Sequence, residues 1–276
     1  MSRSPAAEPT TEPTAAPPPS EPRATLSSTT VEVTLHRFVL AELNTHRVMS
    51  RNSASSRAIP TAKQIRRLVE DPALPAEFGT NQRGMQAAEP LAGEAHDAAL
   101  AVWLEARDHA VEAAERLFEL GVHKQVVNRL LEPFMWHTVI VSATDWDGFW
   151  TQRCSPLAQP EIRLAAEAMR AAYDASTPTP LTPGEWHTPY VRPDEDHLDL
   201  ETRKRISAAR CARVSYLTHD GRRDVAADEE LFERLVTADP PHWSPLEHVA
   251  TPADGEVPGN LRGWAQLRHA VEAARW

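Results

Sequence analysis

The sequence predicts mixed α and β structure, with one early strand followed mostly by helices. Residues 31–40 are β-branched or bulky, with polar side chains at alternate positions, which is typical of a strand. Residues 62–175 repeat apolar side chains at spacings near three and four, which predicts helices. Five prolines in residues 176–202 exclude a regular helix or a central strand there. This connector precedes two further predicted helices, at residues 203–216 and 227–236.

Glycine and proline residues divide the central helical region into separate helices. A long amphipathic helix ends at Gly121, and residues 122–131 continue as a second helix that Pro133 stops. Residues 135–142 are an apolar run that fits either a helix or a strand. Pro160 fits the first turn of a helix that runs to about residue 172.

The first 28 residues differ in composition from the rest of the chain. Residues 1–28 are mainly Pro, Ala, Thr, Ser and Glu, with hardly an apolar side chain beyond alanine. Such a segment cannot bury enough surface to offset the entropy lost on ordering. We therefore expect a disordered tail without secondary structure or packed contacts. We expect one domain in residues 29–276, which is long enough to bury a core.

Composition excludes several functional classes. The net charge is −10, whereas a general nucleic-acid binder needs a basic surface. No run approaches the roughly 18 apolar residues of a membrane helix, and the first residues lack the apolar stretch of a signal peptide. Two cysteines, Cys154 and Cys211, cannot build a disulfide framework, which favours a reducing cytoplasm. The negative net charge does not exclude an anionic small-molecule ligand, because a few converging arginines can bind one.

Residues 41–57 carry the densest set of chemically useful side chains. The segment reads A-E-L-N-T-H-R-V-M-S-R-N-S-A-S-S-R and is too polar for a core. Serine hydroxyls, backbone amides and guanidinium groups are the donors that a phosphate needs. Composition alone leaves a second interpretation open, that of a solvated polar loop.

The order of residues within this segment resembles a known family. Thr45-His46-Arg47 is followed after seven residues by Ser55, and then by Arg57. The flavin-dependent thymidylate synthases carry R-H-R, seven residues, then S, with a further Arg two positions on. Asn52 also fits the N of the longer form of that signature.

Four further stretches resemble motifs of the same family. H-W-S-P-L-E-H at residues 242–248 resembles H-x-S-x-x-E-H, and residues 207–216 end in the family's A-R-V-S-Y. R-L-L-E-P at residues 129–133 resembles R-x-x-x-P, whose arginine holds the nucleotide phosphate. F-W-T-Q-R at residues 149–153, followed by A-Q-P-E-I at 158–162, resembles F-L-x-L-R and A-Q-x-E-I, whose arginine activates the pyrimidine.

The resemblance implies an α+β fold with a long helical region and a small antiparallel sheet. It also implies a homotetramer with active sites at subunit interfaces. In the usual family the A-R-V-S-Y and H-x-S-x-x-E-H blocks precede R-H-R, whereas here they follow it. This order predicts a circular permutation, which proteins tolerate when their termini lie close together.

The resemblance further implies reductive methylation of C5 of a uridylate, either dUMP or UMP. In that reaction methylenetetrahydrofolate gives the carbon, FAD the hydride, and NADPH reduces the flavin. Arg153 is the predicted catalytic residue, because a cation at the N3/O2 edge stabilises the anion that develops there. The predicted nucleotide-binding residues are Glu42, Ser53, Ser55, Ser56, Arg57, Arg129 and Arg153. The predicted cofactor-binding residues are Thr45, His46, Arg47, Asn52, Thr144 and His248.

Departures from the family pattern leave alternatives open. Thr45, Ser53 and Ala58 replace the usual Arg, Glu and Tyr. The changes at Thr45 and Ala58 fit a relative that methylates UMP in a nucleoside-antibiotic pathway. A catalytically inactive nucleotide- or flavin-binding scaffold is the alternative from another class. We expect no metal site, because His242 and His248 lack a third and a fourth ligand nearby in sequence.

Overall fold

The computed structural model describes residues 7–9, 14–15, 27–177, 179–216 and 223–275. Its strands are β1 (Ala7–Pro9), β2 (Thr14–Ala15), β3 (Ser27–His36), β4 (Met49–Ser53), β5 (Trp136–Ala143), β6 (Thr179–Pro180), β7 (Ala250–Pro252) and β8 (Trp264–Gln266). Its α-helices are α1 (Leu40–Asn44), α2 (Thr61–Glu70), α3 (Glu94–Glu119), α4 (Lys124–Val127), α5 (Asp147–Arg153), α6 (Pro160–Asp174), α7 (Leu200–Arg213), α8 (Val225–Thr237) and α9 (Leu267–Ala273). No helix in these ranges is long and apolar enough to cross a membrane.

The larger sheet is built around β3. Its order is β4-β5-β3-β2-β6, and β1 also pairs with β3. The pair β3–β5 is antiparallel from Thr29 opposite Ala143 to His36 opposite Trp136. The strands β7 and β8 form a separate antiparallel pair. A small, mainly antiparallel sheet with helices around it confirms the predicted α+β class.

One face of this sheet carries the main apolar core. Alternate residues of β3 and β5 point to the same side, and all of them are buried: Val31, Val33, Leu35, Val139 and Val141. They pack against Phe149 of α5 and against Ile162 and Met169 of α6. Full burial of each such side chain contributes about 1.5–3 kcal/mol, so this layer fixes α5, which carries Arg153.

The opposite face of the sheet is polar, and the C-terminal half of the chain covers it. Thr30 Oγ1 lies 2.8 Å from His187 Nε2, and the Tyr190 hydroxyl donates to Glu32 at 2.5 Å. Farther across the sheet, Ser142 Oγ lies 2.8 Å from His248 Nδ1. The polar alternation in residues 31–40 is therefore a second packed face. The residues that bond to β3 here, His187 and Tyr190, belong to the proline-rich connector, whereas His248 of the C-terminal motif bonds to β5.

Two buried arginines attach the A-R-V-S-Y helix, α7, to its neighbours. Arg210 donates to Glu195 at 2.6 Å and to Asp228 at 2.8 Å. Arg213 donates to the other oxygen of Asp228. The hydrogen bonds from Arg210 lower the pKa of Glu195 to about 2. Since buried charges must be paired, this network fixes how α7 and α8 pack together.

The first 28 residues were expected to lack secondary structure, but two short strands lie within them. Ala7–Pro9 pairs with β3, with Ala7 opposite Val33, and Thr14–Ala15 pairs with β3 and β6. The prediction is wrong at these residues, because an open strand edge offers backbone hydrogen bonds that need no apolar side chains. Residues 1–6, 10–13 and 16–26 lie outside the described part of the chain.

Several element boundaries also differ from the predicted ones. The early strand ends at His36, because Arg37–Val39 forms a 3₁₀ turn that leads into α1. The second helix is only Lys124–Val127, and a 3₁₀ segment, Asn128–Phe134, then runs through the proline expected to stop it. The apolar run after it is strand β5. The first helix after the connector starts at Leu200, where Asp199 accepts a capping hydrogen bond from Thr202 N at 3.0 Å.

Candidate active site

Residues 41–57 run from α1 through a turn into β4 and on toward α2. The Thr45 hydroxyl donates to the Glu42 carbonyl at 2.7 Å, which closes the last turn of α1. Beyond β4, Ser55 N donates to Ser215 O at 3.1 Å. The sheet and the C-terminal half therefore hold this segment from both sides.

The predicted catalytic arginine lies against this segment. Arg153, the last residue of α5, donates from Nε to His46 Nε2 at 3.0 Å. Its Nη2 donates to Thr45 Oγ1 at 3.0 Å and to the Glu42 carbonyl at 3.2 Å. Together with Arg51 these residues form what we call the Arg153 cluster. All three acceptors are neutral, so they orient the guanidinium without cancelling its charge.

His46 is a neutral imidazole in this arrangement. Burial lowers its pKa below the ordinary value of 6.5, and the charges of Arg153 and Arg51 lower it further. An arginine can only donate, so His46 Nε2 accepts and the ring proton lies on Nδ1. Phe149 packs edge-on against the ring at a centroid distance of 4.9 Å. The ring is therefore fixed in orientation and in protonation state.

Arg51 is a member of the cluster to which the sequence assigned no role. It lies on β4, is partly buried, and donates from Nη1 to the backbone carbonyl of His46. The only signal in the sequence was one more arginine among the polar residues 41–57. Nothing in the spacing showed that it turns back toward His46.

A second group of predicted residues gathers around an unpredicted carboxylate. Arg129 Nη1 donates to Glu132 Oε1 at 2.7 Å, and Ser56 Oγ donates to the same oxygen at 2.9 Å. Arg37 Nη2 lies 3.3 Å from the other oxygen, Glu132 Oε2. We call these four residues the Glu132 cluster. The carboxylate collects two guanidinium groups and a hydroxyl, which are donors that also suit a phosphate.

Two of the predicted cofactor residues are buried inside the chain. Asn52 Nδ2 donates to the Cys211 carbonyl at 2.7 Å, and its Oδ1 accepts from Ser244 at 3.1 Å. His248 has no exposed surface and bonds to Ser142 through Nδ1. In this chain both side chains join the sheet to the C-terminal half.

The remaining predicted residues are more accessible. Arg47 and Arg57 are exposed, and within the described ranges neither guanidinium makes an ion pair or a hydrogen bond. Ser53 and Ser55 are partly buried beside the Ser215 backbone and hydroxyl. No hydrogen bond between described residues joins the Arg153 cluster to the Glu132 cluster.

The polar groups of the Arg153 cluster and of neighbouring residues suit a flavin nucleotide. Two of the buried oxygens that lack a hydrogen-bond partner among the described residues are Glu42 Oε2 in the Arg153 cluster and Thr144 Oγ1 just after β5. Orphaned buried polar atoms are rare, so a ligand with polar groups suits this region. The cation of Arg47 suits its phosphates. These residues therefore fit FAD.

Comparison with known proteins identifies the family of this chain. The family model described as thymidylate synthase complementing protein matches residues 24–179, more than half of the chain. The chain therefore belongs to this family, that of the flavin-dependent thymidylate synthases. It is a methyltransferase of the thymidylate synthase type. The match includes both clusters and ends before the C-terminal motifs.

Similar solved structures include two crystal structures of the UMP/dUMP methylase PolB from Streptomyces cacaoi, bound with 5-Br dUMP and with 5-Br UMP. Both are 18% identical to this chain, with a TM-score of 0.46, and both comparisons cover 55% of it. They cover 67% and 70% of the respective PolB chains. No curated protein sequence matches the chain.

Proposed function

We propose that the protein catalyses FAD-dependent reductive C5-methylation of a uridine monophosphate nucleotide, dUMP or UMP. The co-substrates are 5,10-methylenetetrahydrofolate and NADPH. The supporting observation is Arg153, whose guanidinium is oriented by three neutral acceptors and forms no ion pair with a described carboxylate. The uncancelled charge is what a uracil needs as it becomes anionic.

Arg153 acts on the base. Its cation lies at the N3/O2 edge and favours the uracil form that has lost its N3 proton or carries negative charge on O2. That charge delocalises to C5 and makes it a carbon nucleophile. Removing one preorganised donor of this kind costs about 10²–10³ in rate. When bound, the folate supplies the one-carbon unit, FAD the hydride, and NADPH the electrons that reduce the flavin again.

The turn beside Arg153 is proposed to face the flavin. Thr45, His46 and Arg47 are its polar groups, and the neutral His46 keeps Arg153 in place without adding a second cation. Thr144 Oγ1 is a further donor or acceptor for the cofactor. Asn52 and His248 act indirectly, because their hydrogen bonds position β4 and β5.

The nucleotide phosphate is assigned to the Glu132 cluster and the adjoining turn. Arg129, Arg57 and the hydroxyls of Ser53, Ser55 and Ser56 supply the donors. Glu132 holds Arg129 before the substrate arrives and must release it to the phosphate. Glu42 Oε2, which accepts no hydrogen bond from a described residue, is assigned to a nucleotide hydroxyl or N–H group.

We also propose that the working enzyme is a homotetramer whose sites combine residues of different subunits. The support is the resemblance to the family, which implies a homotetramer with active sites at subunit interfaces.

The circular permutation is a further part of the proposal. The family match ends at residue 179, and the segment after it carries the two displaced motifs. That segment packs on the polar face of the sheet through His187, Tyr190 and His248. Moving residues 181–276 ahead of residue 27 through a flexible linker should preserve folding. A relocated chain that does not fold contradicts the permutation.

The decisive experiment compares dUMP and UMP as substrates of purified protein that shows a flavin spectrum. Each assay contains 5,10-methylenetetrahydrofolate and NADPH. We expect turnover of at least one uridylate to its 5-methyl product. We also propose that the protein works in a reducing cytoplasm. Colourless protein that cannot be reconstituted with FAD, or flavin-loaded protein that methylates neither nucleotide, favours the scaffold alternative.

A further inference from the structure

Arg51 is a partly buried cation that forms no ion pair with any carboxylate of the described residues. Its Nη1 donates to a neutral acceptor, the backbone carbonyl of His46. Burial lowers the pKa of Arg51, and the charge of Glu247 raises it. The Glu247 carboxylate is already occupied, because Oε1 accepts from Arg268 at 2.5 Å and Oε2 from Asn260 at 3.3 Å. The charge of Arg51 thus lacks a dedicated counter-ion.

Arg153 and Arg51 bond to the same residue from two sides. Arg153 bonds to the His46 ring, and Arg51 bonds to the His46 carbonyl. Both charges act on that ring, since each lowers the pKa of the imidazole. Two cations beside one neutral ring repel each other, and a partly buried charge is costly without a partner. An anion bound between them relieves both penalties.

We propose that Arg51 is a second cation of the uracil site and stabilises, together with Arg153, the negative charge that develops on the ring. This rests on the proposed function. An ionised uracil spreads one charge over several ring atoms, so two planar guanidinium groups can share it. The phosphate donors gather around Glu132, which leaves the Arg153 cluster for the base. Arg51 therefore determines how readily the bound uracil ionises.

The test measures uracil ionisation directly. The fluorine NMR shift of bound 5-fluoro-dUMP is followed against pH in flavin-loaded protein, which gives the N3 pKa of the bound base. We expect the wild type to lower this pKa below that of the free nucleotide. Arg51→Met should raise it back by about one unit, the smaller end of the effect of one nearby charge. Arg51→Lys should recover part of the difference, because it keeps the charge without the planar fork.

Controls separate this role from folding and from phosphate binding. Arg234→Met removes an exposed arginine of α8 and should leave the N3 pKa unchanged. An unaltered N3 pKa in Arg51→Met, with a normal melting temperature, overturns the proposal. If Arg51→Met weakens the binding of dUMP but not that of deoxyuridine, and leaves the N3 pKa unaltered, Arg51 is a phosphate ligand and the proposal is also wrong. A wild type that binds no 5-fluoro-dUMP instead overturns the proposed function, and this proposal with it.

Discussion

Arg153 Nε donates a hydrogen bond to His46 Nε2 over 3.0 Å, and this contact determines the charge state of the cluster. A protonated imidazole has no acceptor for an arginine, so the pair forms only with neutral His46. The low pKa of His46 keeps the ring neutral near pH 7. The cationic charge of the pair therefore stays on the guanidinium of Arg153, as the proposed reaction requires.

Arg153→Ala should lower turnover by about 10²–10³, because the lost cation acts on charge that develops in the transition state. The KM for the nucleotide should change much less. Arg153→Lys should recover only part of the loss, since its ammonium cannot bond to His46, Thr45 and Glu42 in one plane. Steady-state kinetics on the preferred uridylate, with flavin content measured by absorbance, checks both variants. Near-normal turnover of Arg153→Ala makes Arg153 a structural residue.

Glu132→Gln should tighten nucleotide binding. The carboxylate holds Arg129 at 2.7 Å and Arg37 at 3.3 Å, and it competes with any phosphate for them. A partly exposed ion pair of this kind is worth up to about 1 kcal/mol, so the dUMP Kd should fall about threefold to fivefold. Titration calorimetry measures it, with Glu115→Gln on the exposed face of α3 as a matched control. Unchanged or weaker binding makes Glu132 a residue that positions Arg129 for the substrate.

The sequence placed Glu42, Thr45, His46 and Arg153 in one predicted site, and the structure brings these four residues together. The spacing of Thr45, His46 and Arg47 to Ser55, and the position of Arg153 after an aromatic run, needed no structure. Arg51 was missed because its hydrogen bond to the His46 carbonyl forms only when β4 folds back beside the preceding turn. Such a contact leaves no periodic signal in the sequence.

The sequence analysis also missed that Glu132 pairs with Arg129 and that His187 packs on the polar face of the sheet. The reason is related. Glu132 lies three residues from Arg129, yet the spacing does not show that Arg37 and Ser56 approach the same carboxylate. The alternation in β3 was visible, whereas His187, which bonds to Thr30, lies 157 residues away along the chain. Long-range polar contacts depend on how segments pack, and one sequence does not report that.

Acid should loosen the C-terminal half from the sheet through two buried histidines. Burial lowers the pKa of His187 to about 4, and burial together with His187 lowers that of His248 to about 3. The unfolded chain binds these protons near pH 6.5, well above the folded values. The stabilisation is therefore complete above about pH 6.5 and declines as the pH falls toward 4, by up to about 1.4 kcal/mol per pH unit for each histidine.

His187→Gln isolates this effect. The variant should be less stable than the wild type at pH 7, because the contact with Thr30 changes. Its stability should nevertheless decline less steeply between pH 6.5 and 4.5, by up to about 1.4 kcal/mol per pH unit. Urea unfolding at several pH values measures the slope, and His109→Gln, on the exposed side of α3, serves as the control. Parallel slopes for His187→Gln and the wild type contradict the assignment.

Mixing two impaired variants should restore activity if active sites are shared between subunits. Arg129→Ala loses a phosphate contact that is made equally in the ground and transition states, so it should mainly raise KM. Arg153→Ala should mainly lower kcat. The Arg129→Ala chain still carries Arg153, and the Arg153→Ala chain still carries Arg129. If one site takes these two arginines from different chains, some sites in mixed assemblies contain both. Co-unfolding and refolding the two variants should then raise turnover above their average at dUMP concentrations below KM. Each variant refolded alone is the control. If both arginines of one site come from the same chain, no mixed assembly contains an intact site, and activity stays at the average.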